Sequence, residues 1–210
     1  MLPSVFLTAV SAVLAQNGAA LPQGAFPASR GFLDQKTPVL VRLGTARRER
    51  LGMAMYTVAL YADVQVLKQR ARPGFPSSDQ VAALLREGEL PVALIFNYDQ
   101  GISAERRREF NQQALARCWS GSAFDPENPG YQAFASHFKD PISKGQTFQV
   151  WIRKGVIHLR TDAGPMDRVA YPDLCRAFLA CYLTDTPLPG EGRTLRDELL
   201  QEMPRLFGQP

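Results

Sequence analysis

Apolar and polar positions alternate most clearly late in the chain. Phe148, Val150 and Ile152 alternate with Thr147, Gln149, Trp151 and Arg153, Lys154-Gly155 turns the chain, and Val156 to Thr161 returns it. That pattern predicts a β-hairpin. Val39 to Leu43 reads as a short strand ended by Gly44, and Met53 to Tyr61 as a longer one with apolar residues on both faces. Between them Thr45 to Arg50 reads as a hairpin-like connection carrying Arg47, Arg48 and Arg50. Val92 to Tyr98 is a continuous apolar run of the buried-strand type.

Helical periodicity fills the spaces between these strands. Ser78 caps a short helix carrying Val81, Leu84 and Leu85, and Ser103 opens one carrying Phe110, Ala114, Leu115 and Cys118. Tyr131 to Phe138 forms a short amphipathic segment. Pro172 begins a helix with Leu174, Ala177, Phe178, Cys181 and Tyr182 on one face. Thr194, with Asp197 three residues on, opens a last helix that ends near Pro204. Mostly antiparallel strands interleaved with helices predict an α+β domain, its helices packed on one face of one sheet.

The composition narrows the function classes without choosing among them. With 210 residues, 45% apolar and 21% charged, the chain suits one core, and its make-up excludes disordered, collagenous and disulfide-scaffold proteins. The net charge of +4 comes without long Lys/Arg runs, so nucleic acid is not an expected partner. Residues 1–29 carry no charged side chain, and Val5 to Ala15 has the length of a signal-peptide core, too short to span a bilayer. Cleavage after Ala15 is expected, with residues 16–30 a flexible lead, residues 31–210 the folded domain, and the mature protein periplasmic or otherwise exported. An apolar N-terminal strand or a disordered lead is the other reading of that run.

The usual catalytic signatures are missing from the sequence. It contains no GxGxxG, Walker, HExxH or GxSxG pattern, and the two histidines, His137 and His158, have no partner motif. No metal and no cofactor are expected. Cys175 and Cys181 sit in one helix ~9 Å apart along its axis, too far to bridge. Any disulfide would therefore use Cys118, but the apolar neighbours of these cysteines point to buried free thiols. Arg106-Arg107-Arg108, in the first turns of a helix where cations oppose the macrodipole, read as a solvated face.

One run carries a family likeness. Arg48-Glu49-Arg50-Leu51-Gly52-Met53-Ala54-Met55-Tyr56-Thr57-Val58-Ala59-Leu60-Tyr61 resembles the arginine-and-strand signature of the chalcone isomerase-like family, in particular its exported bacterial branch. Val92 to Cys118, Lys144-Gly145-Gln146-Thr147 and Leu183-Thr184-Asp185-Thr186-Pro187-Leu188 extend the resemblance over about residues 37 to 207. It implies an open-faced β-sandwich: a curved antiparallel sheet with helices over one face and a ligand cleft between them. The family's arginine falls on Arg48, its strand threonine on Tyr56, its tyrosine on Phe110, its helical asparagine on Arg117, and its late serine or threonine on Ala180. Tyr61, which closes the signature, joins these as a candidate ligand-binding position.

Enzymes of this family close a ring by phenolate attack on an enone while negative charge gathers on the carbonyl oxygen. Phe110 and Ala180 lack the hydroxyls that would receive that charge, and losing one such donor costs about 3 kcal/mol of transition-state stabilisation. The resemblance therefore implies a non-catalytic or weakly catalytic monomer that binds a fatty acid or similar small hydrophobic carboxylate, with Arg48 and Tyr56 reading the acid group. Two other readings stay open: an isomerase or lyase acting on an aromatic or enone substrate, and an envelope interaction module with no small ligand.

Overall fold

The computed structural model describes residues 26–50, 53–71, 76–120, 123–189 and 194–208. The expected signal segment, residues 16–25 of the lead, and Leu51-Gly52 lie outside them. The described residues form a seven-stranded, wholly antiparallel sheet in which every strand pairs with its neighbours in chain order. The strands are β1 (Ser29–Gly31), β2 (Val39–Arg50), β3 (Met53–Ala62), β4 (Val92–Tyr98), β5 (Thr147–Arg153), β6 (Val156–Thr161) and β7 (Asp167–Ala170). The helices are α1 (Val64–Arg70), α2 (Ser78–Arg86), α3 (Ala104–Cys118), α4 (Pro129–Ala135), α5 (Pro172–Leu183), α6 (Arg196–Leu199) and α7 (Met203–Phe207).

The expected α+β architecture is present, because alternation assigns each strand residue to a face. Leu60, Leu94, Val150 and Leu159 stand side by side on four neighbouring strands and are fully buried under the helices. Leu67, Val81, Leu115, Phe134, Leu174 and Leu199 close the same core, one from each of α1 to α6. Lys154 and Gly155 form the β5–β6 turn with φ of 51° and 68°, the paired positive values a tight two-residue hairpin requires.

Several elements differ from the sequence reading. Thr45 to Arg50 is strand, not connection: β2 runs to Arg50, with Ala46 and Arg48 buried and Arg47 exposed. The charged residues hid an alternation that the pairing of Arg48 with Tyr56 makes plain. The sheet also begins earlier than residue 31, since Ser29 and Arg30 pair with Val41 and Leu40. Arg42 fixes this segment by donating to the Phe26 carbonyl at 2.6 Å and to Glu202 at 2.7 Å.

Helix boundaries shift in the same way. Ser77, not Ser78, caps α2 through a reciprocal box with Gln80. Asn128 caps α4, accepting from the Gly130 and Tyr131 amides. The expected last helix is two short ones, with Pro204 in the first turn of α7, where a missing N–H costs nothing. Gly44 on β2 lets α6 come close, for a Cβ there would stand 2.3 Å from the Glu198 carbonyl oxygen.

The opposite sheet face has a smaller cluster of its own. Leu40, Ala59, Tyr61, Ala93, Ile95 and Trp151 are buried there under Phe26, Phe32 and Leu33 of the N-terminal segment. No described helix is long and apolar enough to cross a membrane.

Candidate ligand-binding site

A cavity of about 190 Å³ opens where β2, β3 and β4 end beneath α3 and α5. Its wall is built in rows. Arg48, Tyr56 and Tyr98 lie directly opposite one another on β2, β3 and β4, so all three project toward the helices. The next inward row pairs Val58, Phe96 and Phe148, and the two phenylalanines of it reach the cavity. From above, Phe110 on α3 and Phe178 and Tyr182 on α5 complete the lining, the last two brought onto one face by their i, i+4 spacing. Phe96 sits at the centre, with ring centroids 5.4 Å from Tyr56, 5.7 Å from Phe148 and 5.6 Å from Tyr182.

Two guanidinium groups enter this aromatic space. Arg48 is 5% exposed, stacks 3.7 Å above the Phe110 ring, and donates from Nη2 to the Pro189 carbonyl at 2.8 Å. Arg107 is also 5% exposed and lies over Phe138 and Phe148 at 4.8 and 5.3 Å. Its Nη1 donates to the Asp140 carbonyl at 3.2 Å. Stacking on ring faces lowers the cost of holding such charges inside and leaves their in-plane N–H groups to be used by other partners.

The phenols around them keep their protons. Burial pushes Tyr98 up from its ordinary range, against the pull of Arg107 and Arg48. It pushes Tyr182 well above that range too, with Tyr56 and Cys181 adding to the shift. At neutral pH both therefore remain hydroxyl donors, suited to an oxyanion or carboxylate.

Of the residues expected at a ligand site, Arg48, Tyr56 and Phe110 line the cavity together. The other three do not. Tyr61 is five positions from Tyr56, an odd interval that puts it on the far face, where its hydroxyl donates to the Pro27 carbonyl at 3.0 Å. Arg117 lies two turns beyond Phe110, ~10 Å along α3, and is exposed. Ala180, two positions after Phe178, is rotated ~200° away from the cavity, and its carbonyl accepts from the Thr184 hydroxyl at 2.8 Å.

Arg107, Tyr98, Phe96, Phe148 and Tyr182 escaped the sequence reading as site residues. The Arg106–Arg108 run is not a uniformly solvated face: Arg107 is buried in the cavity, and Arg108 donates to the Phe138 carbonyl at 2.9 Å. A signal existed. Arg107 precedes Phe110 by three and Ala114 by seven, so it occupies the apolar stripe of α3.

Cys118 and Cys181 approach one another between α3 and α5, and all three thiols are free. A hydrogen bond from Cys181 lowers the Cys118 pKa, whereas burial raises that of Cys175 to about 12. His137 Nδ1 meets the Asp167 carboxylate and ties the end of α4 to β7. Neither histidine lines the cavity, and among the described residues no group of three or more potential metal ligands occurs.

No protein-family model matches the chain, and no curated protein matches its sequence. Among solved structures, a fatty-acid binding protein of Arabidopsis thaliana superposes with a TM-score of 0.62 over 87% of this chain and 95% of its own, at 21% identity. The fold is chalcone isomerase-like. Within it, the meandering sheet with helices on one side accounts for the place of the cavity, between the inner sheet face and α3 and α5.

Proposed function

We infer that the protein binds a fatty acid or a similar amphipathic carboxylate and does not catalyse chalcone-type ring closure. The observation that carries this reading is the joining of buried, ring-stacked guanidinium groups to an otherwise aromatic cavity. Phenyl rings accept an alkyl or aryl body, gaining roughly 25 cal/mol for each Å² of apolar surface removed from water. The row of Arg48, Tyr56 and Tyr98 offers the polar end. That the structurally similar Arabidopsis protein is a fatty-acid binding protein supports the reading. Phe110 argues against catalysis, for its ring lies against Arg48 and brings no hydroxyl to a developing oxyanion.

Calorimetric titration with decanoate and decanol tests this. A charge-assisted pair contributes roughly 1.5–3 kcal/mol, so Arg48→Ala is expected to weaken decanoate by about 10- to 100-fold and decanol little. Tyr56→Phe should weaken decanoate slightly. Equal losses for acid and alcohol, or no binding by the parent protein, would remove the assignment.

Export and membership of the exported bacterial branch belong to the same proposal, supported by the uncharged apolar run ending at Ala15. N-terminal sequencing of protein from its native host is expected to start at or near Gln16. Retention of Met1 in cytosolic protein would end that part.

A further inference from the structure

Arg107 has an open bidentate edge. Its Nη1 is taken by the Asp140 carbonyl, and Nε and Nη2, the two N–H groups that point the same way in a side-on fork, are buried with no carbonyl or carboxylate to accept from them. The neutral Tyr98 hydroxyl is the polar group that interacts with this edge, and the charges of both Arg107 and Arg48 act on it. A buried guanidinium edge with no anionic acceptor is costly, and an oxyanion placed in its plane relieves that cost with two parallel bonds.

The surroundings fit an anion of more than one charge. Arg48, Arg50, Arg106 and Arg107 all line the cavity, and no carboxylate does among the described residues. Arg107 also lies in the opening turns of the fifteen-residue α3, where a cation opposes the helix macrodipole. An anion seated there reverses the sign, interacting well with the helix end and the guanidinium at once. A monocarboxylate held between Arg48 and Arg107 brings one negative charge to a site lined by four arginines and leaves a surplus of positive charge.

We propose that Arg107 and Tyr98 form a second anion seat beside Arg48, so that the preferred ligand is an amphipath with a doubly charged head, a phosphate monoester on a single apolar tail. The inference rests on the amphipathic-anion reading above and names its head group. A phosphate presents enough oxygens to take both Arg107 donors and still face the Arg48 charge, with the Tyr98 hydroxyl as an added donor.

Decyl phosphate, decanoate and decanol, titrated below their micelle concentrations at pH 8, decide the matter. Decyl phosphate is expected to bind the parent protein about 10-fold or more tightly than decanoate, reflecting the additional charge-assisted bonds. Arg107→Met should abolish that preference, bringing the decyl phosphate and decanoate affinities together. Arg107→Lys keeps the charge and loses the fork, so it should restore only part of it. A readout on the parent protein needs no variant: the phosphate loses its second charge near pH 6, so its advantage over decanoate should shrink between pH 8 and pH 5. Decanoate binding with no phosphate preference, or a preference that survives Arg107→Met, overturns the second seat and leaves the fatty-acid reading standing. Failure of all three probes to bind overturns both.

Discussion

Replacing Phe96 with Ala is expected to lower the unfolding free energy by about 3–5 kcal/mol, the range found when a buried aromatic ring is truncated. Phe96 is 2% exposed and touches the rings of Tyr56, Phe148 and Tyr182, so one substitution removes the centre of the cluster that joins β3, β5 and α5. Edge-on aromatic pairs add roughly 0.5–1.5 kcal/mol each beyond their burial. The sheet backbone on either side is held by full ladder pairing and will not collapse into the space. Urea unfolding followed by circular dichroism measures the change, and a loss under about 1 kcal/mol would mean the ring sits in a site that already tolerates a void. In ligand titrations the same variant should alter decanoate and decanol alike, since the deleted group meets the tail and not the head.

Phe96 marks what is legible in the sequence: its place in a buried strand is, its place in a binding site is not. Strand alternation places Leu94, Phe96 and Tyr98 on one face as soon as β4 is recognised, and the hairpin of β5 and β6 follows from its turn residues. What alternation cannot say is which face the helices cover. Tyr61 belongs to the same apolar strand as Tyr56, but odd spacing sends it to the far side. Arg117 and Ala180 entered through family correspondence alone. Phase places Ala180 off the cavity, turned away from Phe178, and distance along α3 does the same for Arg117, two turns too far along.

Charged residues were the harder case. A run such as Arg47 to Arg50, or Arg106 to Arg108, carries the pattern of a solvated surface. Only the assembled structure shows that Arg48 and Arg107 lie under aromatic rings. Burial of an arginine depends on partners far away in sequence, here the Pro189 and Asp140 carbonyls, and no local period encodes them. Such departures from local pattern are where a binding site is expected, because a core built only for stability has no use for a buried guanidinium. The short β7 and α1 were invisible for a simpler reason: four and seven residues give too little periodicity to stand out.

On the sheet's other face, Trp151→Ala is expected to cost about 3–5 kcal/mol and to release the N-terminal segment. Trp151 is fully buried at the centre of the outer cluster, edge-on to Phe32 at 5.8 Å and covered by the Arg30 guanidinium at 4.4 Å. Phe26, Phe32 and Leu33 have this cluster to pack against, and β1 contributes only three paired residues, too few to hold the segment alone. Hydrogen exchange should therefore accelerate at Phe32 and Arg42, whose amides bond to the Pro38 and Ala28 carbonyls, well before it rises in β4. Trp151→Phe supplies the contrast. The indole N–H is buried without a partner, so phenylalanine discards an unsatisfied donor while keeping most of the apolar area, and the loss should stay within about 1–2 kcal/mol. If the Phe variant were as damaged as the Ala variant, the indole would owe its place to polar contacts and not to packing. If the Ala variant left exchange at Phe32 and Arg42 unchanged, the N-terminal segment would be held by Arg42 and its bonds to Phe26 and Glu202 instead.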